Sequence, residues 1–291
     1  METEELLEKI RRIEIRTRRS FSHLFSGDYH SAFKGQGMSF SEVREYQPGD
    51  EIRTIDWNVT ARFNHPYVKV FEEERELNVV LMIDVSRSGL FGSVKESKQE
   101  LITEIGALLA YSALGNHDKV SVIFFSDKVE QYIPPKKGRA HLFQIIRELI
   151  NFTPASPGTD LSEALRFLNS ISKQRSVVFI LSDFMTGNYD HALRISAGKH
   201  DVIGLHIYDQ RELDLPDLGL LNIVDSETGE QMMLDTSGKK IRAAYSQQFK
   251  LYFRYFQNAF RRSGTDIISI STADNYVRLL MRLFERRVRR A

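Results

Sequence analysis

Leu77-Asn78-Val79-Val80-Leu81-Met82-Ile83-Asp84-Val85-Ser86-Arg87-Ser88 is the stretch on which the fold turns. Its first half is apolar at consecutive positions, as a strand covered by helices on both faces requires. Its second half breaks into a polar loop. Outward from it, helical and strand periods alternate. A helix is expected from about Val94 to Leu114, with Leu101, Ile105, Leu108, Leu109 and Ser112 on one stripe. A hairpin of Val120–Phe125 and Val129–Ile133 follows, ending at Pro134-Pro135. Helices near His141–Phe152 and Leu161–Ile171 precede a strand at Val177–Leu181. A helix at Tyr189–Gly198 leads to a strand at Val202–Ile207. The last long helix, Ile241–Arg262, carries Tyr245, Phe249, Tyr252, Phe253, Phe256 and Phe260 at helical spacing, which reads as core packing. A strand at Asp266–Ile270 and an amphipathic helix from Tyr276 close the chain. The pattern predicts an α/β fold, a doubly wound and mostly parallel sheet of about six strands.

Upstream the reading changes. Residues 1–76 hold a charged helix at about Glu4–Arg19 and then a Gly-rich, polar stretch containing the turn Gln47-Pro48-Gly49-Asp50. They are expected to form a small, irregular β-rich layer, leaving residues 77–291 as the main α/β domain. Within the layer, Trp57 is read as an anchor to the main domain and Arg53, Arg62 and the Glu72–Glu74 run as salt-bridge formers, with a surface of Arg44, Arg53 and Arg62 for an acidic partner as the alternative. The 291 residues, 42% hydrophobic and 27% charged, exclude a disordered or low-complexity chain. With no cysteine, any chemistry rests on oxygen and nitrogen ligands. A net charge of +1 supplies no general attraction to nucleic acid or anionic membrane. No signal peptide or membrane-spanning run is legible, so a soluble, cytoplasmic protein is expected.

Chemistry concentrates after the first strand. Asp84-x-Ser86-x-Ser88 leaves a strand for a loop, and residues spaced by two can face one crevice. Thr159 precedes a predicted helix, and Asp183 follows the strand Val177–Leu181. All lie on the edge of an open α/β sheet where ligands bind. A set of hydroxyls with two carboxylates suits a hard cation such as Mg²⁺ and poorly suits zinc. The same residue types also cap helices and make turns, so a purely structural, metal-free cluster is the plain alternative. A Mg²⁺-dependent phosphohydrolase with Asp84 as nucleophile is another, although the position two residues on is Ser86 rather than a second carboxylate. His23 and His30 lack metal-ligand spacing, Gly35-Gln36-Gly37 lacks the rest of a dinucleotide fingerprint, and no phosphate-binding loop is present. Arg278, Arg282, Arg286, Arg287, Arg289 and Arg290 fit the charged side of a closing helix, and no nucleic acid is expected to bind.

Asp84-x-Ser86-x-Ser88 with Thr159 and Asp183 resembles the metal-ion-dependent adhesion site of von Willebrand factor type A domains. The upstream motifs narrow this. Gly27-x-x-His30-Ser31, Gly35-Gln36-Gly37, Glu42-x-Arg44-Glu45-Tyr46-x-x-Gly49-Asp50, Arg53-x-Ile55-Asp56-Trp57-Asn58 and Ala61-Arg62 resemble the bacterial domain of unknown function 58 family. Its members carry a von Willebrand factor A-like domain behind this block. The resemblance implies metal contact through the hydroxyls of Ser86, Ser88 and Thr159, with Asp84 and Asp183 holding the ion directly or through water. A partner's carboxylate would complete the coordination. It also implies a non-enzymatic protein-binding role beside a MoxR-type AAA+ ATPase and a client protein. Many relatives have two amino-terminal membrane helices, which are not seen here.

Overall fold

The computed structural model describes residues 39–63, 65–72, 76–91, 97–224 and 231–290. The expected helix at Glu4–Arg19, both upstream histidines and Gly35-Gln36-Gly37 lie outside them. The chain divides into two compact units, the smaller spanning Phe33–Leu77 and the larger including Asn78–Ala291.

In the smaller unit, β1 (Ser39–Glu45) pairs antiparallel with β2 (Tyr67–Glu72), and α1 (Trp57–Phe63) lies between them in sequence. The Gln47–Asp50 turn closes as its residue types predict: the Asp50 N–H donates to the Gln47 carbonyl at 3.0 Å, and Gly49 takes φ +115°. Arg44 grips the Asp50 carboxylate with both guanidinium nitrogens, at 2.7 and 2.8 Å, and so braces the turn. Asp56 starts α1 by accepting the N–H groups of Asn58 and Val59.

The larger unit is built on β3 (Asn78–Asp84), α2 (Lys98–Gly115), β4 (Lys119–Phe125), β5 (Val129–Lys136), α3 (Arg139–Asn151), α4 (Leu161–Ile171), β6 (Val177–Ser182), α5 (Asp190–Lys199), β7 (Asp201–Tyr208), α6 (Gln210–Leu213), β8 (Leu220–Val224), β9 (Gln231–Asp235), α7 (Lys239–Arg262), β10 (Asp266–Ser271) and α8 (Tyr276–Val288). Six strands form one sheet in the order β10-β7-β6-β3-β4-β5, parallel except for β5. Val80, Met82, Val178 and Ile180 point to the face packed by α4, α5 and α7. On the other face, α2 passes close to β3, with Gly106 directly over Ile83 and beside Leu149 of α3. β3 and β6 are thus buried on both sides, as their continuous apolar runs require. The aromatic stripe of α7 packs inward through Phe249, Phe256 and Phe260. Gly204 of β7 is the point of closest approach, since a Cβ there would lie 2.5 Å from the Phe260 ring.

One expectation needs correction. The second hairpin strand does not stop at Pro134-Pro135 but runs to Lys136. β5 is the outermost strand of the sheet, so prolines without N–H donors are tolerated there. The sequence pattern assigns no element between β7 and the long helix. Between them stand the short α6 and the antiparallel β8–β9 pair, whose exposed Leu220, Met232 and Met233 obscure the alternation that marks a half-buried strand.

Candidate functional site

The strand order reverses at β3. From it the chain crosses to β4 on one side, whereas β6 joins on the other, so a crevice opens beyond the carboxyl ends of β3 and β6. Asp84 is the last residue of β3, and Ser182 and Asp183 stand at the end of β6. Parallel pairing of Ile83 with Leu181 brings these residues level.

Asp84 is buried. Its Oδ1 accepts the Ser86 N–H at 2.9 Å and its Oδ2 accepts the Ser182 hydroxyl at 2.5 Å. The Ser86 and Ser88 hydroxyls lie 2.9 Å apart. Asp84, Ser86 and Ser88 therefore form one connected network, tied through the Ser182 hydroxyl to the residue next to it, Asp183. Thr159 sits beside it by another route. The Arg87 N–H donates to the Pro157 carbonyl at 3.2 Å, which brings the Pro157–Thr159 loop against the Ser86–Ser88 loop. The Thr159 carbonyl accepts the Thr186 hydroxyl at 3.0 Å, and the next residue, Asp160, caps α4.

Asp183 is held by a tight backbone turn. The residue after it, Phe184, takes φ +52°, in the left-handed region that a bulky side chain avoids at a cost of about 1–2 kcal/mol. Ser182 Oγ accepts the Phe184 N–H at 2.9 Å, Asp183 Oδ1 accepts the Met185 N–H at 3.2 Å, and the Phe184 ring stacks on Phe256 at 4.4 Å. These ties hold the unfavourable conformation in place.

Three residues not picked out in the sequence complete the site. Ser182 bridges Asp84 to the Phe184 turn. Lys98, in the first turn of α2, is 1% exposed and places its ammonium 2.7 Å from Asp183 Oδ2 and 2.5 Å from Glu212 Oε1. Glu212 belongs to the capping box that Asp209 forms with α6. In sequence, Lys98 stands among Lys95, Glu96, Ser97, Gln99 and Glu100, where a solvated helix start is the natural reading. Only the Ser97–Glu100 capping box is legible there.

The electrostatics follow from this packing. Burial, and then the neighbouring Asp183 charge, push the Asp84 carboxyl up to about 6. Burial acts to raise Asp183 as well, but the Lys98 ammonium and hydrogen bonds from Lys98, Ser88 and the Met185 N–H outweigh it and hold Asp183 below the usual carboxylate range. For Lys98, burial acts to lower the pKa, and the charges of Asp183 and Glu212 win and raise it. Burial raises Glu212 above its ordinary value. Two carboxylates, Asp183 and Glu212, therefore share one ammonium, and the Asp84 carboxyl feels the Asp183 charge beside them. His206 lies one strand further along, ringed by Phe184, Tyr208, Phe249, Phe253 and Phe256, where burial pushes its pKa down to about 4 and keeps it neutral at ordinary pH.

Among the described residues there is no cluster of three or more His, Cys, Asp or Glu side chains suited to a metal. A cation here would rest on two carboxylates, the serine and threonine hydroxyls, and water. That donor set fits Mg²⁺, and the mutual repulsion of two buried carboxylates is the kind of charge a cation relieves. No helix of the described residues is long and apolar enough to cross a membrane.

The chain is similar to several known proteins. The family model described as "Protein of unknown function DUF58" matches residues 42–251. An uncharacterized protein of Mycobacterium tuberculosis is 27% identical over 287 residues, covering 97% of this chain and 90% of that one. Among solved structures, an aerotolerance-related membrane protein from Bacteroides fragilis is similar with a TM-score of 0.50 at 16% identity, over 74% of this chain and 100% of the other. The VWA domain of SpRpn10 is similar with a TM-score of 0.38 at 13% identity, over 73% of this chain and 95% of that domain.

Proposed function

The chain belongs to the DUF58 family, whose function is unknown, with a von Willebrand factor A-like α/β unit, and from that premise we propose that it is a non-enzymatic protein-binding module whose sheet rim takes Mg²⁺. Asp84, Ser86, Ser88, Thr159 and Asp183 would hold the ion. Bound there, it would supply an electrophilic position open to one carboxylate of a partner. The chain's own part is to align the donors. The Ser86 N–H and Ser182 hydroxyl orient Asp84, the Phe184 turn orients Asp183, and the paired Ser86 and Ser88 hydroxyls span the gap. A MoxR-type AAA+ ATPase is the proposed partner, acting with this module on a client complex.

The observation that carries the reading is the meeting, at the switch point of the sheet, of Asp84 with the linked Ser86 and Ser88 hydroxyls and, through Ser182, with the end of β6 that carries Asp183. Both oxygens of Asp84 already accept hydrogen bonds, and Ser86 occupies the place of a second carboxylate, which weighs against Asp84 as a phosphohydrolase nucleophile. A metal-free scaffold of the same fold draws support from Lys98, whose ammonium already gives Asp183 a counter-charge.

Affinity capture of the ATPase by the intact chain, with Mg²⁺ and with chelator, tests the proposal. Chelation, or Ser86→Ala with Ser88→Ala, is expected to weaken capture at least about tenfold, the equivalent of about 1.4 kcal/mol. Capture that ignores both changes would reject the metal-mediated mode.

A further inference from the structure

We propose that Lys98 is a resident counter-cation that opposes a divalent ion at the rim, and that Glu212 sets the strength of that opposition. The inference rests on the reading of the rim as a cation site and deepens it.

Asp183 has two oxygens, and each already has a claim on it. Oδ1 faces the Met185 N–H, and Oδ2 is the oxygen that the Lys98 ammonium holds at 2.7 Å. A metal ion drawing on Asp183 must share that second oxygen with Lys98, displace it, or reach the carboxylate through water. Lys98 is almost wholly buried, so water does little to screen its charge from an arriving cation.

Glu212 pulls the other way. It lies 2.5 Å from the same Nζ, on α6, the short helix that follows β7. Its carboxylate shares the ammonium and so loosens the Lys98 claim on Asp183. Its position is fixed by the Asp209–Glu212 capping box and by the Ser246 hydroxyl of α7, which donates to the Leu213 carbonyl at 2.7 Å.

The consequence is a site that holds its ion weakly until more negative charge arrives. A partner's carboxylate supplies that charge, so ion and acidic partner bind with positive coupling, each raising the affinity of the other by the same factor. Lys98 is a positioning and affinity-setting residue in this scheme, and it does not itself touch the partner.

Calorimetric titration of MgCl₂ and MnCl₂ into the full chain, at constant ionic strength, separates the possibilities. Relative to wild type, Lys98→Met is expected to bind either ion at least about tenfold more tightly, and Glu212→Gln several-fold more weakly. Circular dichroism establishes that each variant is folded. If Lys98→Met does not fold, Glu212→Gln decides the matter, because its predicted direction is opposite and its side chain is nearer the surface. Wild-type binding with unchanged or weaker binding by Lys98→Met, or with unchanged or tighter binding by Glu212→Gln, overturns the role of Lys98 and leaves the cation site standing. Absence of binding by wild type and both variants overturns the cation site together with this inference.

Discussion

At the amino-terminal end of the sheet, Asp201 of β7 and Asp266 of β10 meet Arg287, and Arg286 and Arg290 also reach Asp266. At the carboxyl end, Asp183 and Glu212 share the Lys98 ammonium, and Asp84 lies close enough to Asp183 to feel its charge. The first group is complete: three arginines serve two aspartates, and Arg286 and Arg290 are 48% and 66% exposed, so water settles any excess charge. The second is incomplete and dry, with carboxyl groups in excess around an ammonium that is 1% exposed. Both ends use the same residue types. On the proposed reading, what separates a structural ion-pair cluster from a binding site is unbalanced charge in a place that water cannot neutralise.

The largest effect should come from removing the only ammonium. Without added cation, Lys98→Met is expected to lose about 3–5 kcal/mol, because Asp183 is left buried without its partner. Denaturation followed by circular dichroism measures this. Fluorescence would not, since the only tryptophan, Trp57, lies in the smaller unit. A loss no greater than that of an exposed ion pair would erase the distinction between the two ends.

Asp84→Asn should act in the opposite sense. The folded-state pKa of Asp84 is raised from 3.8 to about 6, so its stabilising contribution is full below about pH 4 and is lost as pH rises through 6. At pH 7 without cation, the variant is expected to be more stable than wild type by roughly 1–3 kcal/mol, and the gap should close as pH falls from 6 to 4. Comparing the two proteins at each pH removes the contribution of His206. Its lowered pKa favours the folded state above about 6.5 and loses that effect as pH falls toward 4. A gap that stays constant with pH would contradict the account of the rim.

Arg287→Met, at the completed end, should cost about 1–3 kcal/mol, and added Mg²⁺ should not change that figure. Arg166→Met breaks only the exposed Arg166–Glu163 pair on α4, and should fall within about 0.5 kcal/mol of wild type. These two variants calibrate what an ion pair is worth in this chain away from the rim.

The contrast also explains what the sequence discloses. β3, β6 and β7 are visible because burial on both faces demands uninterrupted apolar residues. α4 and α8 are visible because one-sided burial imposes the helical period. Asp84, Ser86, Ser88, Thr159 and Asp183 can be picked out as candidates because each lies at or near the end of a strand or the start of a helix, where an open sheet presents ligands. Lys98 and Glu212 are hidden for the converse reason. Each sits in a capped first turn among other polar residues, and only the fold shows that this turn packs inward. The β8–β9 pair escapes notice because Leu220, Met232 and Met233 are apolar yet exposed, which leaves it without the polar half of an alternating pattern.

The most direct test is a Mn²⁺ titration of the intact chain followed by electron paramagnetic resonance, for wild type and for Ser86→Ala with Ser88→Ala. One bound ion in wild type, with affinity at least about tenfold weaker in the double variant, is the predicted result. No bound ion in wild type, or equal affinity in both proteins, would contradict a metal centre at the rim.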